Sequence, residues 1–197
     1  MLEVADLACD RAGRRVFEAV AFRLEPGQLL VLRGANGSGK SSLLRVLGGL
    51  VPASAGTIRL SDEAVPGLIG RCHYVGHAEP VKPRLTVRET LAFLARVDGA
   101  APERVDAALA GFGLDGLAGQ RGQLLSAGQK RRAALARLLL GERSVWLLDE
   151  PEVGLDEQSR SRLAGHVQGH LATGGVAVVA SHLPLPIAGA LVLDFGA

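Results

Sequence analysis

Between the apolar run Gln28 to Arg33 and a stretch with leucines at 43, 44 and 47, the chain reads Gly34-Ala35-Asn36-Gly37-Ser38-Gly39-Lys40-Ser41, the pattern G-x-x-x-x-G-K-[ST]. The run is a predicted strand, and the leucines mark one face of a predicted helix from Lys40 to about Gly48. A glycine-rich loop in that setting gathers backbone N–H groups around an anion, and the helix start adds its positive end. Gly34, Asn36, Gly37, Ser38, Gly39 and Ser42 are therefore candidate phosphate contacts. Lys40 is placed to reach the β- and γ-phosphates of a nucleotide, and Ser41 to ligate Mg²⁺.

The remaining segments fit around this loop as alternating strands and helices. Strands are predicted at Leu2 to Ala8, Ala19 to Leu24, Thr57 to Leu60, Val145 to Asp149 and Val176 to Ala180. Helices are predicted to start at Thr86, through the capping pattern Thr86-x-x-Glu89, and to run from Glu103 to Gly111, Ala127 to Leu140 and Glu157 to His170. This order implies an α/β fold with a largely parallel sheet, antiparallel strands at the N-terminus and a helical insertion at about 77–130. The core would then be 1–76 and 131–197, and the 197 residues suit one such domain.

Composition excludes several classes. Hydrophobic residues at 48% and charged ones at 21% rule out a disordered chain. A net charge of +2 and 4% aromatics give neither the basic field nor the stacking platforms of nucleic-acid binding, so no nucleic-acid partner is expected. Cys9 and Cys72 form no C-x-x-C pair, which argues against a disulfide framework or a Cys-rich metal site and points to a reducing compartment. The acidic start, Met1 to Asp6, lacks signal-peptide features. Val176 to Leu193 is apolar except for Ser181 and His182, but Pro184 and Pro186 oppose a helix, and the stretch reads as two buried strands rather than a membrane span.

Four further segments bear on the chemistry. Val145-Trp146-Leu147-Leu148 ends in Asp149 and Glu150, and carboxylates at a strand's carboxyl end border the ligand crevice of a parallel sheet. Asp149 suits a Mg²⁺ shell and Glu150 a position facing an attacking water. Leu125-Ser126-Ala127-Gly128-Gln129 places a capping serine at a helix start; by itself, with Lys130, Arg131 and Arg132, it reads as a capped surface helix with a solvated basic turn. Ala180-Ser181-His182 follows a strand, and Gly154-Leu155-Asp156 precedes a helix.

Together, and in this order, these motifs resemble the ATP-binding subunits of ABC transporters, whose signature L-S-G-G-Q is present here with Ala127 at its third position. The resemblance spans essentially the whole chain and implies a P-loop NTPase (RecA-like) core of the ABC ATPase type. It implies ATP and Mg²⁺ as ligands, and a head-to-tail homodimer in which each ATP lies between the Gly34–Ser42 loop of one copy and Ser126, Gly128 and Gln129 of the other. Glu150, His182 and Lys40 become the expected catalytic residues: Glu150 polarises water and His182 holds the γ-phosphate. Asp156 connects the two sites. Ser41 and Asp149 are the expected metal ligands.

Two positions depart from the family pattern. The glutamine that senses Mg²⁺ and contacts the membrane partner aligns with Gly76-His77, so His77 is a candidate for the nucleotide and metal contacts. The aromatic residue that stacks on adenine aligns with Arg11, whose guanidinium is planar and can also stack. Gly76-His77, Lys82, Leu85-Thr86, Glu89, Leu91 and Gln123 to Gln129 resemble the ATPase subunits of the cytochrome c maturation heme exporter. That resemblance implies integral membrane permease partners and a place on the cytoplasmic face of the inner membrane. The work would be either heme export or release of heme from a periplasmic chaperone. The ATPase of another small ABC importer or exporter, and a nucleotide-gated module without catalysis, are the alternatives.

Other attractive groups carry less. His166 and His170, four apart on a helix, lack the third ligand of a metal site and read as a solvated face. Cys72-His73 lacks the first cysteine of a heme-attachment motif, and Asp194-Phe195-Gly196 reads as a chance tripeptide.

Overall fold

Alternating apolar residues at both ends of the N-terminal segment set up a long hairpin, β1 (Leu2–Arg11) and β2 (Arg14–Leu24), paired antiparallel from Leu2 opposite Leu24 to Arg11 opposite Arg14. The computed structural model describes residues 1–77, 81–182 and 187–195. After the hairpin come β3 (Leu29–Arg33), α1 (Lys40–Leu47), β4 (Ala55–Leu60), β5 (Glu63–Val65) and β6 (Cys72–Val75). Next in the chain are α2 (Val87–Asp98), α3 (Arg104–Gly111), α4 (Ala127–Ala136), β7 (Val145–Asp149), α5 (Glu157–Ala172), β8 (Val176–Ala180) and β9 (Leu191–Asp194).

Two sheets form. One has the order β2-β1-β4-β5; the other has the order β6-β7-β8-β3-β9, with β7, β8, β3 and β9 parallel. β7 and β8 are buried at every position, as an interior parallel strand should be. Side chains from both sheets and from α1 share one core, including Leu2, Leu7, Leu32, Leu43, Leu47, Ile58, Leu147 and Val178. On α1, Leu43, Leu44, Val46 and Leu47 are fully buried. Each such side chain contributes about 1.5–3 kcal/mol relative to exposure, so this burial fixes the helix that carries the phosphate loop at its N-terminus.

The chain divides into two compact units. The first comprises Met1–Tyr74, Arg143–Glu150 and Val167–Ala197 and holds most of both sheets with α1; the second comprises Val75–Glu142 and Pro151–His166. The second unit is helical, and it reaches beyond the segment of about 77–130 that the sequence suggests, extending to Glu142 and taking in Pro151–His166. Its helices α2 and α4 start in the same way. Thr86 and Ser126 each accept the N–H of the residue three on, while the side chains of Glu89 and Gln129 reach back to the cap N–H, a reciprocal capping box.

Several expectations are corrected. β9 is an edge strand with mostly exposed side chains, so Val176 to Leu193 does not supply two buried strands; Pro184 and Pro186 lie outside the described residues. The hairpin strands run longer than predicted because bulges, with positive φ at Asp6 and Ala19, let the pairing continue past breaks in the alternation. The helix predicted to Leu140 is α-helical only to Ala136 and tightens into a 3₁₀ turn at Arg137–Leu139. His166 and His170 are packed rather than solvated. His166 bonds the Gly111 carbonyl at 3.0 Å and packs on Phe112, while His170 stacks on Trp146 with ring centroids 4.2 Å apart and bonds the Val176 carbonyl at 3.1 Å. Among the described residues no helix is long and apolar enough to cross a membrane.

Candidate functional site

Parallel pairing brings three strand ends to one edge of the sheet. Leu32 of β3 lies beside Ala180 of β8, and Asp149 of β7 lies beside the same Ala180. The residues just past these ends are Gly34–Gly39, Glu150 and Ser181–His182, so segments far apart in sequence meet where an α/β sheet binds ligands.

The loop is shaped by its glycines. Gly34 has φ +140, and a methyl group there would overlap the carbonyl oxygen of Phe195, so only glycine fits. Gly37 and Gly39 also have positive φ, and Gly39 is the N-cap of α1 with no side-chain cap bond, which leaves the helix N-terminus to the loop. Asn36 and Gly37 are exposed, and Ser41 and Ser42 are half-buried in the first turn of α1. The Ser38 hydroxyl is buried with no hydrogen-bond partner among the described residues, a donor suited to an anion held in the loop. Lys40 is buried, and its ammonium donates to the carbonyls of Gly34 and Ala35 at 2.8 Å each.

Across the sheet edge, Ser41 Oγ donates to Asp149 Oδ1 at 2.9 Å, joining residues 108 positions apart. A hydroxyl and a carboxylate are hard oxygen donors of the kind Mg²⁺ takes, so this pair fits the ion as two protein ligands beside phosphate oxygens. Glu150 continues the ladder, its N–H donating to the Ala180 carbonyl at 2.8 Å, and its Oε1 lies 3.6 Å from His182 Nε2. Its φ of 48 is a left-handed conformation rare for a long side chain; such strain collects at functional sites. Both side chains are reachable from solvent, His182 being 45% and Glu150 27% exposed.

The other residues singled out in the sequence stand elsewhere. Arg11 ends β1, exposed, opposite Arg14 at the hairpin tip. In the helical unit, His77 is exposed just after β6. Ser126, Gly128 and Gln129 belong to the start of α4 in that unit, with the side chains of Ser126 and Gln129 engaged in their own capping box. Asp156 precedes α5 and accepts the Ser159 N–H at 2.8 Å. Hydrogen bonding from Ser159, first through its hydroxyl and then through this N–H, holds the Asp156 carboxyl below the usual range.

Two features have no signal in the sequence. β2 and the residue just after β9 wall the phosphate loop: a methyl at Gly39 would meet Val16 Cγ1 and Phe195 Cε1, each at 3.3 Å. Phe195 also packs edge-on against Phe17, so it is part of the structure around the loop. A cavity of about 390 Å³ opens beside Ser38, lined also by Val16, Phe17, Asp194 and Phe195. Arg131, expected in a solvated basic turn, is instead buried; the run of basic residues gives no sign of which one turns inward.

A family model described as ABC transporter matches residues 17–153. The chain is 46% identical over 187 residues to the cytochrome c biogenesis ATP-binding export protein CcmA of Mesorhizobium japonicum, covering 94% of this chain and 93% of that protein. It is 47% identical over 196 residues to the protein of the same description from Paracoccus denitrificans, covering 100% of this chain and 89% of that one. Among solved structures, a putative ABC transporter ATP-binding protein from Pyrococcus furiosus superposes with a TM-score of 0.85 at 23% identity, over 98% of this chain and 96% of that one.

Proposed function

The chain belongs to the ABC transporter family, and within it to the cytochrome c biogenesis ATP-binding export proteins; from that premise we propose that it hydrolyses ATP to drive heme export for cytochrome c maturation, bound peripherally to integral membrane permease subunits on the cytoplasmic face of the membrane. The observation that carries the catalytic part is the meeting, at one sheet edge, of the Ser41–Asp149 pair with Glu150 and His182.

In this reading the triphosphate lies in the Gly34–Ser42 loop, where Ser38, the loop N–H groups and the start of α1 supply donors. Lys40 exchanges its Gly34 and Ala35 carbonyls for phosphate oxygens. Ser41 and Asp149 would hold Mg²⁺, and the ion would supply positive charge to offset that of the phosphates. Glu150 accepts a proton from the attacking water, and His182 donates to the γ-phosphate. Catalysis is then mostly positioning and charge compensation. Arg11 stacks on the base, and His77 reports the state of the nucleotide to the membrane partner. Ser126, Gly128 and Gln129 serve the nucleotide of a second copy in a head-to-tail homodimer, and Asp156 links the two sites.

Glu150→Gln tests this directly. Loss of the base should lower phosphate release by about 10² to 10⁴ while MgATP binding persists, and expression of the variant should leave covalent heme absent from c-type cytochromes. Turnover at the wild-type rate would remove Glu150 from the mechanism. Absence of hydrolysis by the wild-type protein would favour a nucleotide-gated module without catalysis, and normal cytochrome assembly in a strain lacking the chain would reassign the cargo.

A further inference from the structure

Arg131 sits in the second turn of α4, just past the signature residues, yet it is 4% exposed. A buried guanidinium is retained only when its donors are satisfied. Here Nη1 donates to the Gly76 carbonyl at 2.8 Å and Nε to the Pro151 carbonyl at 3.3 Å. Each acceptor adjoins a residue of the proposed site: Gly76 is bonded covalently to His77, and Pro151 to Glu150. One side chain thereby fastens the residue before the proposed nucleotide sensor and the residue after the proposed catalytic carboxylate, two segments far apart in sequence.

The same helix makes a second attachment. A methyl group at Gly128 would stand 2.8 Å from the Gly154 carbonyl oxygen, so the backbone at Gly154 lies directly against the first turn of α4. α4 thus meets the segment after Glu150 at two points, bonding the Pro151 carbonyl through Arg131 and lying close against the Gly154 carbonyl at Gly128.

We propose that Arg131 is a positioning residue for ATP hydrolysis: it sets the His77 segment and the segment leaving Glu150 in register with the signature helix, so that a shift of that helix is felt at both. The proposal rests on the ATPase reading. Misplacing a reacting group by about 1 Å through a remote change can cost about 10²-fold in rate. Arg131 and the carbonyls of Gly76 and Pro151 belong to the helical unit, whereas the phosphate loop, which sets nucleotide affinity, belongs to the sheet-bearing one. Loss of the fork should therefore show in turnover rather than in affinity.

The test uses the purified full chain. Arg131→Met keeps the apolar stem and removes the guanidinium with its bonds to Gly76 and Pro151, and should lower kcat by about 10- to 100-fold while the KM for ATP stays within about twofold. Arg131→Lys offers an ammonium to one carbonyl in place of a two-armed fork, and its kcat should fall between those of Arg131→Met and the wild type. Hydrogen exchange should rise in peptides containing Gly76–His77 and Pro151–Leu155, and stay unchanged in the Gly34–Ser42 loop. A folded Arg131→Met protein with the wild-type kcat, or with KM rising as kcat falls, overturns the proposal. If that variant does not fold, Arg131→Lys decides, and an unchanged kcat there overturns it. If the wild-type chain releases no phosphate, the ATPase reading itself fails and the catalytic role of Arg131 falls with it; raised exchange at the two segments would then show that the brace is real and merely structural.

Discussion

The candidate nucleotide-site residues of the sheet-bearing unit and those of the helical unit are held in opposite ways. In the first, a hydroxyl and a carboxylate 108 residues apart meet at 2.9 Å, and Glu150 faces His182 across two strand ends. In the second, Ser126 and Gln129 bond each other within a single helical turn, as Thr86 and Glu89 do. The first arrangement exists only when the sheet is assembled. The second needs nothing beyond its own turn, so its geometry alone does not distinguish a helix cap from a ligand contact.

The largest effect expected from this contrast is at Gly34. Gly34→Ala forces a methyl into the Phe195 carbonyl at a left-handed position, and should cost about 2 kcal/mol and abolish the rise in melting temperature that ATP produces. A retained ATP-induced shift would show that the loop tolerates movement the packing denies. Next in size is the paired comparison of Thr86→Ala and Ser126→Ala, each removing one half of the same kind of capping box. Both should lose about 1 kcal/mol in thermal unfolding, but only Ser126→Ala should also weaken ATP-dependent dimerisation, measured by size-exclusion chromatography in the Glu150→Gln background. Equal dimerisation in both would make Ser126 a cap and nothing more.

The smallest effect concerns His170. Burial against Trp146 holds its imidazole below the ordinary value, the Val176 carbonyl opposing that only partly. A base whose folded value is depressed is favoured in its neutral form, so its contribution is complete above about pH 6.5, the ordinary imidazole value, and is lost as pH falls below it. Melting temperature should therefore drop modestly from about pH 7.5 to about pH 5.5, and the drop should be shallower in His170→Gln. An identical slope would place the pH sensitivity elsewhere.

Much of this is legible in the sequence, for identifiable reasons. The phosphate loop, Asp149, the Thr86 capping box and the Ser126 cap are written in neighbouring residues, and β7 and β8 declare themselves by unbroken apolar runs; the return bond from Gln129 that completes the second box appears only in the fold. β5 and β6 escape because they are three and four residues long, too short for periodicity to register. The packing of His166 and His170 is hidden for another reason. Their partners, Phe112 and Trp146, come from other segments, and helix spacing says nothing about what lies across from a face. Arg131 is the same case at the signature helix: three adjacent basic residues look alike until a fold supplies carbonyls for one of them.

The left-handed backbone at Glu150 has a consequence for anyone seeking a hardier protein. Asparagine tolerates that conformation better than glutamate, so a screen that scores only resistance to heat would reward Glu150→Asn. With Glu150 as the proposed base, that screen would deliver a sturdier chain without its turnover, and stability data alone would not reveal the loss.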